Sequence, residues 1–187
     1  MKTDPRVRYT RMIIQAAFSE LLQQKPVNKI TVREVCDKAE INRSTFYKHY
    51  QDCYDLLDKM KEEALQQFDE MLAGMKERGV KATMTAILQT LKDSAVLFRA
   101  FRRQGGGHSF TNQLAGRCFD YMDMQISVCP ALGRDEGQKG IVYSYLTGGA
   151  AAIIEYWLRN GCEEPPEQIA DMTLELSKIL TVGLAGK

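Results

Sequence analysis

Histidine is scarce in this chain of 187 residues: only His49 and His108 occur, and neither lies in a metal-ligand or nucleophile motif. An enzyme working by imidazole acid–base chemistry therefore has little to stand on. The one nucleophile pair left, Cys118 with His108, would have to close ten residues across a helix start. The five cysteines (Cys36, Cys53, Cys118, Cys129 and Cys162) are odd in number and never spaced C-x-x-C. That excludes a zinc ribbon and a disulfide framework and predicts inert thiols in a reducing compartment. No uninterrupted apolar run is long enough to cross a bilayer, because Ile141–Leu158 is broken by Ser144, Thr147, Gly148, Gly149 and Glu155. The segment MKTDPRVRYT carries no signal-peptide core, so the expectation is a cytoplasmic protein with no membrane span, no metal and no cofactor. Alternating β-branched runs are missing too, which excludes a sheet protein and leaves an all-α fold.

What is present is a globular composition, 44 % hydrophobic and 26 % charged, with 25 basic against 24 acidic residues. The near balance conceals an asymmetry. Residues 1–50 hold 10 basic and 5 acidic side chains, whereas 51–187 hold 15 and 19. A short basic head on a mildly acidic body fits a polyanion-binding module joined to something else.

In the head, Ile13, Ala16, Ala17 and Leu21 form an apolar helical stripe, widened by Ile14, Phe18 and Leu22 and ended near Pro26. Thr31-Val32-Arg33-Glu34 is a capping box, in which the threonine hydroxyl and the glutamate carboxylate satisfy free backbone N–H groups. It predicts a helix from about Val32 carrying Val32, Val35, Cys36 and Ala39 inward. Asn42 is a suitable N-cap for a short helix Arg43 to Tyr50 with Phe46 and Tyr50 inward, and Asp52 for a longer one bearing Leu56, Leu57, Met60, Ala64 and Phe68. Two short helices joined by a tight turn and packed on a longer one make a helix-turn-helix. The second presents Arg43, Ser44 and Thr45 at its start, where base edges are read, and then Tyr47, Lys48 and His49, which can donate to phosphate oxygens.

The run Ile30 to Ala39, then Ser44-Thr45-Phe46-Tyr47-Lys48-His49-Tyr50 and Asp55-Leu56-Leu57, resembles the DNA-binding domain of the tetracycline-repressor (TetR/AcrR-type) family of bacterial transcription regulators, over about residues 8–57. The resemblance implies a helix-turn-helix DNA-binding domain at 1–51 and a larger helical effector-binding and dimerisation domain at 52–187. It implies a homodimer on a palindromic operator in double-stranded DNA, most simply a repressor released by a small-molecule effector; a transcriptional activator or a protein-interaction co-regulator is the alternative. Carried over residue by residue, it assigns Arg43, Ser44 and Thr45 to base or nearby phosphate contacts, Tyr47, Lys48 and His49 to the phosphate-facing side, and Thr31 to a phosphate contact. Two positions depart from the family pattern: Glu40 stands where glycine is usual in the turn, and Cys53 where many members have lysine. If the backbone at 40 is left-handed, a non-glycine residue there costs about 1 kcal/mol.

In the body, helices are expected at about 52–73, 80–92, 93–103, 110–127, 137–160 and 166–184, with breaks at Gly79, Gly105–Gly107, Pro130 and Pro165–Pro166. The helix 137–160 is apolar around most of its circumference, and Ser144, Gly148 and Ala152 at four-residue spacing would let another helix approach closely. With the last helix it is expected to form the dimer interface, through Ile153, Trp157, Leu176 and Leu180. Candidate effector-pocket residues are Phe68, Phe98, Phe101, Phe119, Met122 and Tyr145.

Overall fold

The computed structural model describes residues 4–103, 110–126 and 136–185. Every regular element among them is helical: α1 Pro5–Gln24, a 3₁₀ turn Val27–Lys29, α2 Val32–Lys38, α3 Arg43–Tyr47, α4 Cys53–Ala73, α5 Met75–Arg78, α6 Val80–Asp93, α7 Ala95–Arg103, α8 Phe110–Ile126, α9 Glu136–Arg159 and α10 Pro166–Ala185. The glycine run 105–107 and Pro130 lie outside the described residues.

The described chain forms two compact units: 4–64 with 96–103, and 65–95 with 110–126 and 136–185. The expected division at 51/52 falls just before α4, whereas the packing divides within α4, and α7 contributes mostly to the first unit.

In the first unit, α1 starts with Asp4 as N-cap, its carboxylate accepting from the Arg6 N–H, and with Pro5 at the position where a missing N–H costs nothing. The helix is longer than the apolar stripe alone implies. Its inward side centres on Ile14, Ala17, Phe18 and Leu21, while Ala16 is exposed. The capping box of α2 is formed: the Glu34 N–H donates to Thr31 Oγ1 at 3.3 Å, and the Thr31 N–H donates to Glu34 Oε2 at 2.9 Å. Val35, Cys36, Phe46, Tyr50, Leu56 and Leu57 then close a core with α1. Asp52 caps α4, accepting from the N–H groups of Tyr54 and Asp55 at 2.8 Å. Regular α-geometry in α3 ends at Tyr47, three residues short of Tyr50. Lys48 and His49 donate three residues back, to Thr45 and Phe46, before Tyr50 donates four residues back to Phe46 at 3.0 Å, so the chain tightens at the helix end. Asn42 occupies the N-cap position but makes no side-chain cap bond.

In the second unit, α10 packs against α6 and α9, and α8 against α9. Gly79 has φ of 86°, a conformation glycine adopts freely, and it separates α6 from α5, a single turn the sequence pattern did not reveal. Lys81 joins the starts of α6 and α10 through Glu167 and Asp171, and Pro166 begins α10 as expected. Trp157 is completely buried inside this unit, its Nε1 donating to the Glu164 carbonyl at 3.0 Å. It is therefore not part of any exposed face.

Candidate functional site

The exposed rim of the first unit is built on α2, the turn and α3. Phe46 and Tyr50 are buried and stack at 5.6 Å, which turns the intervening side chains outward. Arg43 and Ser44 are exposed, Thr45 is half-buried, Tyr47 is 57 % exposed and Lys48 is exposed. The Tyr47 ring rests edge-on against Phe46 at 5.7 Å, so its phenol is held outward by an aromatic anchor rather than left swinging.

His49 sits half-buried over Tyr50. Desolvation, and then the positive charges of Arg11, Lys48 and Lys59, push its pKa below the usual imidazole value, so it is neutral at pH 7 with one ring N–H to donate. The same three cations supply a positive field at this end of α3. Lys59 also fixes it mechanically: its Nζ donates to the His49 carbonyl at 3.0 Å and to Asp55 Oδ2 at 2.9 Å, and lies 5.4 Å over the Tyr50 ring. Arg11 is held by Glu63, which also accepts from Gln15 Nε2. Neither Arg11 nor Lys59 stood out in the sequence. Only the i,i+4 spacing of Asp55 and Lys59 was there to find.

Thr31 is exposed at the start of α2, and its hydroxyl already donates to Glu34 Oε2 at 2.9 Å. A phosphate contact from that oxygen has to displace the glutamate. Lys25 and the Thr31 N–H and hydroxyl hold the Glu34 carboxyl down at about 2.

The two departures from the family pattern have different structural outcomes. Glu40 is left-handed, with φ of 53°, the strained conformation its position implied. Cys53 is buried, and desolvation, with the nearby Asp52 carboxylate, pushes its thiol up to about 11, so this position is packed in the core.

The second unit contains a cavity of about 350 Å³ among α6, α8, α9 and α10. Of the six aromatic and methionine candidates, Phe119 and Met122 line it. Phe68 is buried against Phe110, and Tyr145 is 65 % exposed. Phe98 and Phe101 belong to the first unit, where they pack on each other at 5.5 Å. The side chains of Arg99, Arg102 and Arg103 lie outside the described residues. Cys118 also lines the cavity; burial pushes it up to about 12, so it is a thiol and not a thiolate at neutral pH, while His108 lies outside the described residues.

Apolar side chains remain exposed on α9 and α10: Ile141, Tyr145 and Tyr156 on the first, Met172, Leu176, Ile179 and Val182 on the second. Between Tyr145 and Tyr156, Gly148, Gly149 and Ala152 are exposed as well, and a Cβ added at either glycine would meet nothing within 4 Å. Ile153 and Leu180 are half-buried. Among the described residues, no helix is long and apolar enough to cross a membrane.

Two family profiles match the chain. One, described as bacterial regulatory proteins of the tetR family, covers residues 13–60, and the other, a transcriptional regulator C-terminal region, covers 80–178. An HTH-type transcriptional regulator of Bacillus subtilis (strain 168), YxbF, is 23 % identical over 174 residues, 87 % of this chain and 43 % of that protein. The chain spans about half the length of the curated relatives it matches. Among solved structures, the dihydroxyacetone kinase operon activator DhaS is similar, with a TM-score of 0.71, 19 % identity and coverage of 92 % and 96 % of the two chains. A TetR-family regulator from Syntrophomonas wolfei str. Goettingen gives a TM-score of 0.69 at 18 % identity, covering 95 % and 97 %.

Proposed function

The chain belongs to the tetR family of bacterial regulatory proteins, and on that premise we propose that it is a homodimeric, cytoplasmic reader of a palindromic operator that answers to a small-molecule effector. The observation that carries the reading is the division of labour along α3 and the three residues after it. Phe46 and Tyr50 face inward, while Arg43 and Ser44 stand free at the helix start and Tyr47, Lys48 and His49 follow on a positively charged edge. Arg43, Ser44 and Thr45 read bases, and Tyr47, Lys48, His49 and Thr31 hold phosphates and fix the register. Lys59 positions His49 by holding its carbonyl.

The exposed apolar faces of α9 and α10 support a twofold contact between copies, with the glycines as the place of closest approach. Leu176 lies on that face, at 47 % exposure; Ile153 and Leu180 border it; Trp157 supports it from inside. The cavity in the second unit is the effector site. Regulation as a repressor is the simplest form, and activation is the second reading, favoured by the likeness in fold to an operon activator.

The experiment is to mix the purified chain with sheared host DNA and to recover and sequence the bound fragments. Enrichment of one short palindrome, with binding that falls steeply as salt rises, is the expected result. Salt-independent recovery without a common sequence would overturn the reading in favour of a head that meets protein partners.

A further inference from the structure

The cavity among α6, α8, α9 and α10 has one wall unlike the others. Among the described residues, the first three helices offer hydrocarbon, thioether, thiol and ring surface only, including the adaptable side chains of Met84 and Met122. The fourth, α10, offers Thr173, Ser177 and Thr181, four residues apart on one side, with Lys178 beside them. The three hydroxyls donate to carbonyls of their own helix, Ile169 at 2.8 Å, Thr173 at 2.8 Å and Ser177 at 3.0 Å, so they add no free donor to that wall, and an anionic group has to reach past them to Lys178. Lys178 is exposed at the rim and has no ion pair among the described residues. Among the described residues, the lining contains no carboxylate, and Lys178 is its one charged side chain.

Each of these facts excludes a class of ligand. A cation would meet the positive charge of Lys178 and, among the described residues, no carboxylate to neutralise it. A highly polar ligand such as a sugar would leave most of its hydroxyls against hydrocarbon, at a cost of a few kcal/mol each. An uncharged hydrocarbon would fill the apolar part and make no use of the basic end. A volume of about 350 Å³ accommodates about 12 non-hydrogen atoms at about 30 Å³ apiece.

We propose that this cavity takes a monoanionic amphiphile, a medium-length aliphatic carboxylate whose chain lies among α6, α8 and α9 and whose carboxylate meets Lys178 at the α10 wall. The inference deepens the effector-site reading and rests on it.

The test is calorimetric titration of the full chain with three probes of equal chain length: decanoate, decanol and decyltrimethylammonium. Decanoate is expected to bind best, decanol more weakly and the ammonium compound not at all. Lys178→Met, at an exposed position the fold does not need, should weaken decanoate about fivefold and leave decanol unchanged. Ala150→Leu, which puts carbon into the empty space, should abolish both. Equal affinity for decanoate and decanol in the natural chain overturns the proposal, as does indifference of decanoate binding to Lys178→Met or to Ala150→Leu. No binding of any probe overturns it as well. DNA binding is measured on the same preparation without probe. A chain that captures a palindrome but not decanoate thus refutes the ligand class alone, and one that binds decanoate but no DNA refutes the regulator reading alone.

Discussion

Glu40→Gly separates backbone strain from charge in the turn between α2 and α3. Glu40 has φ of 53°. A left-handed L-residue pays about 1–2 kcal/mol for the approach of its Cβ to the following carbonyl. Glycine removes that clash but gains freedom in the unfolded chain, which gives back about 0.5–1 kcal/mol. The net stabilisation is about 0.5–1 kcal/mol, a rise in Tm of about 1–4 °C for a chain of this size. Glu40→Ala is the control: it deletes the same carboxylate but keeps the Cβ, so it should give no gain in stability. For DNA the ordering differs. Both variants remove an exposed negative charge beside the recognition helix, so both should bind a selected operator more tightly at low salt, by the same factor, with the advantage fading as salt rises. Urea unfolding and salt-dependent gel shifts on the three proteins provide the two readouts. If Glu40→Ala stabilises the chain as much as Glu40→Gly, the strain account is wrong and the carboxylate was destabilising the fold by some other route.

Four other outcomes are expected. Tyr47→Phe and His49→Ala should weaken binding to all operator sequences alike, whereas Arg43→Ala and Thr45→Ala should also change the preferred bases; identical selected sequences from all four variants would refute the assignment. Gly148→Arg should produce a folded monomer by sedimentation equilibrium, because a Cβ at this exposed position meets nothing within 4 Å in its own subunit whereas the long side chain blocks a close approach; an unchanged mass would place the contact elsewhere. Thr83→Val should stabilise the second unit by about 1 kcal/mol in urea, since the Thr83 hydroxyl is buried without a hydrogen-bond partner among the described residues and valine keeps its shape. Glu34, whose folded-state carboxyl lies near 2 against an unfolded 4.5, contributes stability that is present above pH 4.5 and lost as pH falls towards 2. Glu34→Gln should flatten that part of the acid-unfolding curve, and an unaltered curve would show that the capping box does not carry it.

The local elements were legible because their causes are local. The Thr31–Glu34 box, Asp52 as a cap, Gly79 as a break and Pro166 as a start all act within one turn of themselves, and each stands where the pattern put it. The α3 end was missed because a switch from four-residue to three-residue bonding leaves no mark in side-chain periodicity. Helix α9 shows the larger limit. It is apolar on most sides, so its sequence does not say which side meets its own subunit; Trp157 faces inward, and Tyr145 and Tyr156 face out. The cavity was the least legible feature. Four helices distant in sequence set its walls, and its polar edge, Thr173, Ser177 and Thr181, reads as ordinary helix surface until α6 and α8 are brought opposite.

Buried thiols give each unit its own sentinel. Cys36 and Cys53 lie inside the first unit and Cys118 and Cys162 inside the second, and desolvation keeps the first three protonated as well as hidden. An alkylating reagent in water reaches such a sulfur only during a local opening, and the thiol must then ionise before it reacts. The rate at which each cysteine is labelled is therefore a clock for the breathing of the element that covers it. Read with and without DNA, or with and without a carboxylate amphiphile, the two pairs of clocks report separately which half of the molecule each partner quiets.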